Sequence, residues 1–476
     1  MAPPTKEIVN RLWALCHVLR DDGVSYQQYV TELTYLLFLK MLAETGGEVE
    51  VPAGHRWQNL VAANGVAQLK LYKQILTVLG EERVGRVQAI YVNAQTAIQQ
   101  PRVLAKLVTD IDGLDWFSAQ QEGLGDLYEG LLEKNATESK RGAGQYFTPR
   151  PLIDAIIDVL KPQPGEVIQD PAAGTAGFLV AADRYIKRHT DDLFDLAQDG
   201  QEFQRTSALQ GMELVPATHR LALMNAMLHG FDGVIKQGDT LSSVGSDLPK
   251  ADLIVTNPPF GTKTGGGRPT RVDFTFPTGN KQLAFLQHVY RGLKVGGRAG
   301  VVLPDNVLFE EGVGQLIRRD LMDKCDLHTI LRLPTGIFYA PGVKTNVLFF
   351  TRGATDRGNT KTTWVFDLRS DMPNLGKRTP FTRAMLDSFT AAYGDDPNGR
   401  SARSTSAGNP RWRSFSRRYV SDRDDDLNIS WLDGSSDDSA RRSPDVILAE
   451  ISSLLQDAEE AVRAVAALVA TERVSQ

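Results

Sequence analysis

Cysteine is scarce in this chain, with two among 476 residues, Cys16 and Cys325. Two thiols offer neither a disulfide framework nor a metal cluster. Their scarcity suits a reducing cytoplasm, and both are expected as packing residues. Long apolar runs are missing as well. The run Leu33 to Leu39 stops at Lys40, far short of the roughly 20 residues that a membrane-spanning helix needs. A secretion leader is not expected, because Lys6, Glu7, Asn10 and Arg11 break up the start. Positive charge is in deficit, with 53 Lys and Arg against 58 Asp and Glu and a net charge of -5. A protein that grips duplex phosphates unaided presents an excess of basic groups, so here they are local or a partner supplies them. What the chain does have is bulk. At 42% apolar and 23% charged it is neither disordered nor fibrous, and its length allows two or three soluble domains.

Residues 1–138 carry apolar positions at helical spacing, such as Ile8, Leu12, Leu15, Cys16 and Leu19, then Val30, Leu33, Leu37 and Met41, and later Leu124, Leu127, Tyr128 and Leu131. These stripes predict a helical domain and account for themselves as its core. Residues 139–392 read differently. Seven β-rich runs alternate with helical stretches: Glu166 to Asp170, Ala208 to Glu213, Val234 to Gly238, Asp252 to Thr256, Arg298 to Leu303, Thr329 to Leu333 and Val347 to Thr351. The alternation predicts an α/β fold with a doubly wound, mostly parallel sheet. The segment joining the last two runs, Pro334 to Thr345, is too short for a helical crossover, which suggests an antiparallel hairpin at the sheet edge. Residues 393–443 read as a linker or irregular segment, the stretch Asp395 to Pro410 being polar with Pro, Gly and Ser. From Pro444, Leu448, Ile451, Leu455, Ala458, Val462, Val465 and Val469 step by threes and fours, a coiled-coil seam suited either to core packing or to a partner helix.

Doubly wound sheets bind ligands at the carboxyl ends of their strands, and the chemistry-bearing residues fall there. Asn257-Pro258-Pro259-Phe260 directly follows the apolar strand Leu253 to Val255. An amino group on a heteroaromatic ring is a poor nucleophile because its lone pair is delocalised. Two acceptors near its N–H groups can rehybridise the nitrogen and turn the lone pair outward. The Asn257 side-chain oxygen and the Pro258 carbonyl are candidates, since a Pro-Pro step fixes the backbone. Phe260 then offers a face for stacking. An ordinary turn at a strand end would contain the same residues.

The run Asp170-Pro171-Ala172-Ala173-Gly174-Thr175-Ala176-Gly177-Phe178 links a strand to a helix through small residues that allow close backbone approach to a ligand. It lacks the Gly-x-Gly-x-x-Gly spacing, which counts against a nicotinamide cofactor. Glu213 and Asp239 end the next two runs. A carboxylate at the first position suits ribose hydroxyls, and one at the second suits an adenine amino group. Three successive acidic strand ends point to a nucleoside-bearing cofactor. Ahead of the first strand, Gly144-Gln145-Tyr146-Phe147-Thr148-Pro149-Arg150 leads into an amphipathic helix. Thr148 is placed to cap that helix, and Tyr146 and Phe147 either pack on the sheet or wall the cofactor.

In this order, Gly144 to Arg150, Asp170 to Phe178, Glu213, Asp239 and Asn257 to Phe260 resemble amino-methylating DNA methyltransferases. More closely, the chain resembles the M (modification) subunit of type I restriction-modification systems. The likeness spans the helical N-terminal region and also includes Leu303-Pro304-Asp305-Asn306-Val307-Leu308-Phe309 and Leu333-Pro334-Thr335-Gly336-Ile337-Phe338 with Val343 to Leu348. The resemblance implies the seven-stranded fold of class I S-adenosylmethionine-dependent methyltransferases. It also implies cytoplasmic methylation of adenine N6 in DNA, by two such subunits with one specificity subunit and with a restriction subunit able to join. Through it Gln145, Tyr146, Phe147, Thr148, Pro149, Arg150, Asp170, Gly174, Thr175, Ala176, Gly177, Phe178, Glu213 and Asp239 are expected at the donor, and Asn257, Pro258, Pro259 and Phe260 at the base. A partner that reads sequence would explain the charge deficit. Lys140, Arg141, Lys263, Arg268, Arg271 and Lys281, and again Arg411, Arg413, Arg417 and Arg418, remain as local basic groups. Gly261 to Asn280 reads as a loop able to close over an extruded base. The rivals are a methylase of RNA or protein glutamine and a non-catalytic assembly scaffold.

Overall fold

The apolar stripes of the first third fold into helices: α1 (Pro4–Asp21), α2 (Tyr29–Glu44), α3 (Trp57–Ala62), α4 (Gly65–Glu81), α5 (Arg86–Tyr91), α6 (Pro101–Asp112) and α7 (Leu124–Glu138). The computed structural model describes residues 4–24, 28–81, 86–116, 124–138, 147–260, 270–338, 343–370, 372–373, 375, 379–403 and 409–432. Leu12, Leu33, Leu37, Leu104, Leu127 and Leu131 meet in one core. Helix α2 departs from the expected stripe, since it is buried on nearly every face and carries Glu32 and Lys40 inside. Both are partnered, as buried charge requires: Glu32 accepts from the Thr96 hydroxyl at 2.7 Å and the Ala97 amide at 2.6 Å, and Lys40 pairs with Asp112 at 2.9 Å.

The rest of the chain builds a sheet from β1 (Ile168–Asp170), β2 (Leu209–Glu213), β3 (Val234–Gln237), β4 (Ala251–Thr256), β5 (Leu293–Pro304), β6 (Cys325–Leu333), β7 (Thr345–Arg352), β8 (Thr362–Asp367) and β9 (Trp412–Ser416). Their order is β3-β2-β1-β4-β5-β7-β6-β8-β9. Strands β1 to β5 run parallel, and β7 is antiparallel to both β5 and β6. From β1 the chain winds outward to β3, then returns to the other side of β1 as β4. That reversal makes the β1/β4 junction the topological switch point where such sheets bind ligands.

Two expectations are corrected. The β6–β7 hairpin forms, but not at the edge, because β8 lies parallel beside β6 and β9 antiparallel beside β8, giving nine strands where seven were expected. The segment read as a linker therefore contributes β9, which Trp412 anchors by stacking on Trp364 at 5.0 Å, followed by α16 (Arg417–Ser421). Met1–Asn428 forms one compact unit, which holds the seven helices α1 to α7 and all nine described strands. The seam expected from Pro444 lies outside the described residues.

On the sheet's faces lie α8 (Arg150–Leu160), α9 (Gly177–Arg188), α10 (Gln198–Thr206), α11 (Pro216–Leu228), α12 (Lys281–Gly292), α13 (Asn306–Phe309), α14 (Val313–Lys324) and α15 (Asp387–Tyr393). Helix α11 also joins the helical domain, since Met224 is part of that core and Arg220 donates to the Ile90 and Val92 carbonyls. Cys16 and Cys325 are buried, their thiols pushed up to about 12 by burial, in keeping with packing roles. Helix α8 sits directly over Gly300 of β5: a Cβ there would stand 2.8 Å from Leu160 Cδ1 and 3.0 Å from Ile156 Cγ2. Gly300→Val is expected to lower stability by about 1–3 kcal/mol through overpacking, read as a lower urea midpoint at unchanged slope. An unchanged midpoint would show that α8 does not seat on this strand.

Candidate active site

The first loop is shaped by its small residues. After β1, Gly174 (φ 54°) and Ala176 (φ 66°) adopt left-handed backbone that larger side chains resist, and Ala176 then opens α9. Neighbouring strand ends hold the loop in place. The Ala173 amide donates to the Met212 carbonyl at 2.9 Å, and the Gly174 amide donates to Glu213 Oε2 at 2.9 Å. Glu213 Oε1 accepts from the Val215 amide at 2.8 Å, and the Leu214 amide also bonds the carboxylate, which still leaves it acceptor capacity for a ligand hydroxyl. The Thr240 hydroxyl donates to the Pro171 carbonyl at 2.5 Å and so brings in the β3 loop, where Asp239 is exposed and accepts from the Leu241 amide at 2.9 Å. Leu214, next to Glu213, and Val244, five residues after Asp239, are exposed apolar side chains suited to the faces of a purine. Sequence reasoning missed them because it followed only the acids. Phe178, expected at the donor, is buried in the core of the sheet domain.

The second loop leaves the adjacent strand. The Thr256 hydroxyl, at the end of β4, donates to Asp170 Oδ1 at 2.7 Å, and the same oxygen accepts from the Ala172 amide at 3.0 Å. The two loops therefore depart side by side. Asn257 is only 8% exposed. Its Nδ2 donates to the Thr148 hydroxyl at 2.8 Å, while its Oδ1 is buried and accepts from nothing among the described residues. An orphaned buried acceptor costs roughly 1–3 kcal/mol, which a ligand N–H would recover. Gln282 Nε2 of α12 holds the Pro259 carbonyl at 3.2 Å. Phe260 meets Phe338 edge to face at 5.6 Å, so the motif Leu333 to Phe338, first noted only as part of a resemblance, joins the site.

Thr148 does not cap α8. Pro149 occupies the cap position and no side chain bonds there, while the Thr148 hydroxyl accepts from Asn257. Phe147 is half-buried against the helical core. Gln145 and Tyr146 lie outside the described residues, as do Lys140, Arg141, Lys263 and Arg268.

Residues 119–431 match the N-6 DNA Methylase family. Among curated proteins, the StySPI methylase subunit of a type I restriction enzyme from Salmonella potsdam is 51% identical, with 93% of this chain and 92% of that protein aligned. The EcoKI methylase subunit of Escherichia coli (strain K12) matches to the same extent. The chain belongs to the methylase subunits of type I restriction enzymes. Solved structures agree. The EcoKI M protein shares 48% identity over 95% of this chain and 94% of its own, with a TM-score of 0.59, and a type I restriction-modification assembly contains a chain at 25% identity, 97% and 98% coverage and a TM-score of 0.74. The family's reaction is methylation of adenine N6 in DNA.

In this methylase subunit the local basic groups are partly consumed. Arg271 has only 6% of its side chain exposed. It grips Asp273 with two nitrogens at 2.6 Å and donates to the Thr240 carbonyl at 3.0 Å, so it is a strut between loops and not a free phosphate contact. Arg417 pairs with buried Asp425 at 2.6 Å, and Arg413 and Arg418 remain exposed. Asp126, Glu129 and His229 bring oxygens and a ring nitrogen within 4.8 Å of one another, but Arg150 and Arg184 already reach the two carboxylates, as an ion-pair network requires.

Burial pushes the Asp170 carboxyl up to about 7, against the bonds from Thr256 and Ala172 that favour its charged form. Below pH about 4 the group is protonated in both folded and unfolded chain. As pH rises towards 7 the unfolded chain loses this proton first, so stability falls over that window. Asp170→Asn is expected to flatten this limb and to raise stability near pH 8 by at most about 4 kcal/mol. Calorimetric melts across pH check it, and an unchanged slope would contradict the assignment.

Proposed function

We propose that the switch-point cleft seats S-adenosylmethionine on the Asp170–Gly177 loop and an extruded adenine on Asn257 to Phe260. The orphaned Asn257 Oδ1 carries this reading, since it is a buried acceptor with no partner at the end of β4, next to the loop built for close approach. Bound there, the donor supplies a sulfonium methyl group. The chain's own residues do the rest. Glu213 offers acceptors for ribose hydroxyls, Asp239 an acceptor for the donor's adenine amino group, and Leu214 and Val244 apolar faces. The Gly174, Thr175, Ala176 and Gly177 backbone lets the donor approach closely. Asn257 Oδ1 and the Pro258 carbonyl accept the two N6 hydrogens and turn the lone pair outward, while Phe260 lines the base. Fixed dipoles and positioning supply most of the rate gain, no covalent enzyme intermediate is needed, and the proton that N6 sheds as it gains the methyl group passes to water.

The Thr148 bond adds selectivity of orientation. By occupying Nδ2, it keeps the amide from presenting its donor face to an adenine amino group, which is itself a donor. Thr148 is therefore assigned to Asn257 as well as to the donor-side loop, and Phe147, Pro149 and Arg150 position it there. A net charge of -5 and the commitment of Arg271 leave sequence readout to a partner. The assembly proposed is two copies of this chain with one specificity subunit, joined by a restriction subunit, acting in the cytoplasm to mark host DNA against cleavage. Among the described residues no helix is long and apolar enough to cross a membrane.

The test is methyl transfer to adenine in duplex DNA by the chain purified with its specificity partner. Asn257→Ala is expected to abolish transfer while donor binding, followed by calorimetry, persists. Thr148→Val is expected to slow turnover roughly tenfold with a smaller effect on donor affinity, and Thr148→Ser to restore it. Full activity of Asn257→Ala would refute the assignment.

A further inference from the structure

Helix α7 of the helical domain reaches the site through one carboxylate. Glu129 Oε1 accepts from Arg150 Nη1 at 2.8 Å and lies 3.4 Å from Asn225 Nδ2 on α11. The same Asn225 nitrogen donates to the Thr175 carbonyl, in the loop after β1, at 2.9 Å. Arg150 in turn begins α8, two residues beyond Thr148, whose hydroxyl holds Asn257. Each half of the site is thus tied to Glu129 by a short chain of contacts, one through Asn225 to the donor loop and one through Arg150 and Thr148 to the catalytic amide.

The surroundings fix Glu129 tightly. Its side chain is 11% exposed, with Arg184 at 3.9 Å and the His229 ring nitrogen at 3.6 Å. Burial depresses the His229 imidazole to about 4, so it stands there neutral. That ring rests on α7 itself at Gly125, where a Cβ would come within 2.7 Å of it. Asn225 is buried, and its Oδ1 has no partner among the described residues. A buried amide that gives its nitrogen to both a backbone carbonyl and a carboxylate has little freedom to turn. A fold-stabilising ion pair alone would need Glu129 and Arg150 but not the link onward to Thr175.

The geometry points to Glu129 as a positioning residue for methyl transfer, through which the helical domain sets the Thr175 carbonyl and the Thr148–Asn257 pair relative to each other. The inference rests on the proposed assignment of these two loops to the donor and the base. It makes the helical domain part of the catalytic apparatus, not only a platform for assembly. Any movement of α7 would be felt by donor loop and amide together.

The experiment compares three variants of the full chain in its DNA-methylating complex, each checked by thermal melting and assayed well below its transition. Glu129→Ala is expected to weaken donor binding and slow turnover, each by roughly tenfold, and Glu129→Gln, which keeps an acceptor, to recover part of both. The two arms should separate. Asn225→Leu should weaken donor binding more than it slows turnover, and Arg150→Met should slow turnover more than it weakens donor binding. Donor affinity and kcat within about twofold of wild type in a Glu129→Ala protein that merely melts lower would reduce Glu129 to a structural ion pair and overturn the inference. Arg150→Met acting chiefly on donor affinity would also overturn it, by placing Arg150 at the donor. If the wild-type complex itself fails to methylate adenine, the underlying site assignment falls instead.

Discussion

The hydroxyl of Thr256 and the carboxyl of Asp170, 2.7 Å apart across the parallel strands β4 and β1, hold the site together. The chain arrives at these strands from opposite directions in the winding order, and the loops that follow them have no sequence neighbourhood in common. Pinning the last residue of one strand to the last residue of the other sets where both loops begin. Asp170 is a costly residue to use, being 1% exposed with its carboxyl raised to about 7. Two hydrogen bonds to a single oxygen offset part of that cost.

From that junction the two loops work by different means. On the side proposed for the donor, shape comes from backbone: left-handed Gly174 and Ala176 and amides satisfied by Met212 and Glu213 leave a surface of small residues. On the side proposed for the base a single oriented side chain matters, and the orientation is imposed from outside the loop by Thr148. The helical domain adds a third support. It packs on α11 and enters the polar network at Glu129, so the part of the chain without a motif of its own is linked through Asn225 and Arg150 to both halves of the site.

The strands β1 to β7 were legible because each contains a short β-rich run closed by a turn or an acid, and the ends of β1 to β4 named Asp170, Glu213, Asp239 and Asn257 directly. Strand β9 was not legible, because Trp412-Arg413-Ser414-Phe415-Ser416 does not alternate, its two large apolar residues standing three apart, and Arg413 read as part of a basic patch. The position of the β6–β7 hairpin inside the sheet depended on β8, whose pairing with β6 no local pattern discloses. The same limit applies within the site. Thr148 looked like a helix cap because a hydroxyl before Pro149-Arg150-Pro151 satisfies the local rule, whereas its true partner lies 109 positions away. Arg271 counted as a local basic group until Asp273 and the Thr240 carbonyl claimed it. Thr256 passed as the end of an apolar strand. Residue types at strand ends are written in the sequence, while which groups are already spent is a property of the fold.

The most direct test of this account is the Thr256→Val substitution, which keeps the shape of the strand and removes only the hydroxyl that ties β4 to Asp170. Measured in the folded complex, donor affinity and the rate of adenine methylation should fall together by roughly tenfold, because both loops lose their common anchor. Donor affinity and rate both unchanged would contradict the claim that this one bond sets the two loops against each other.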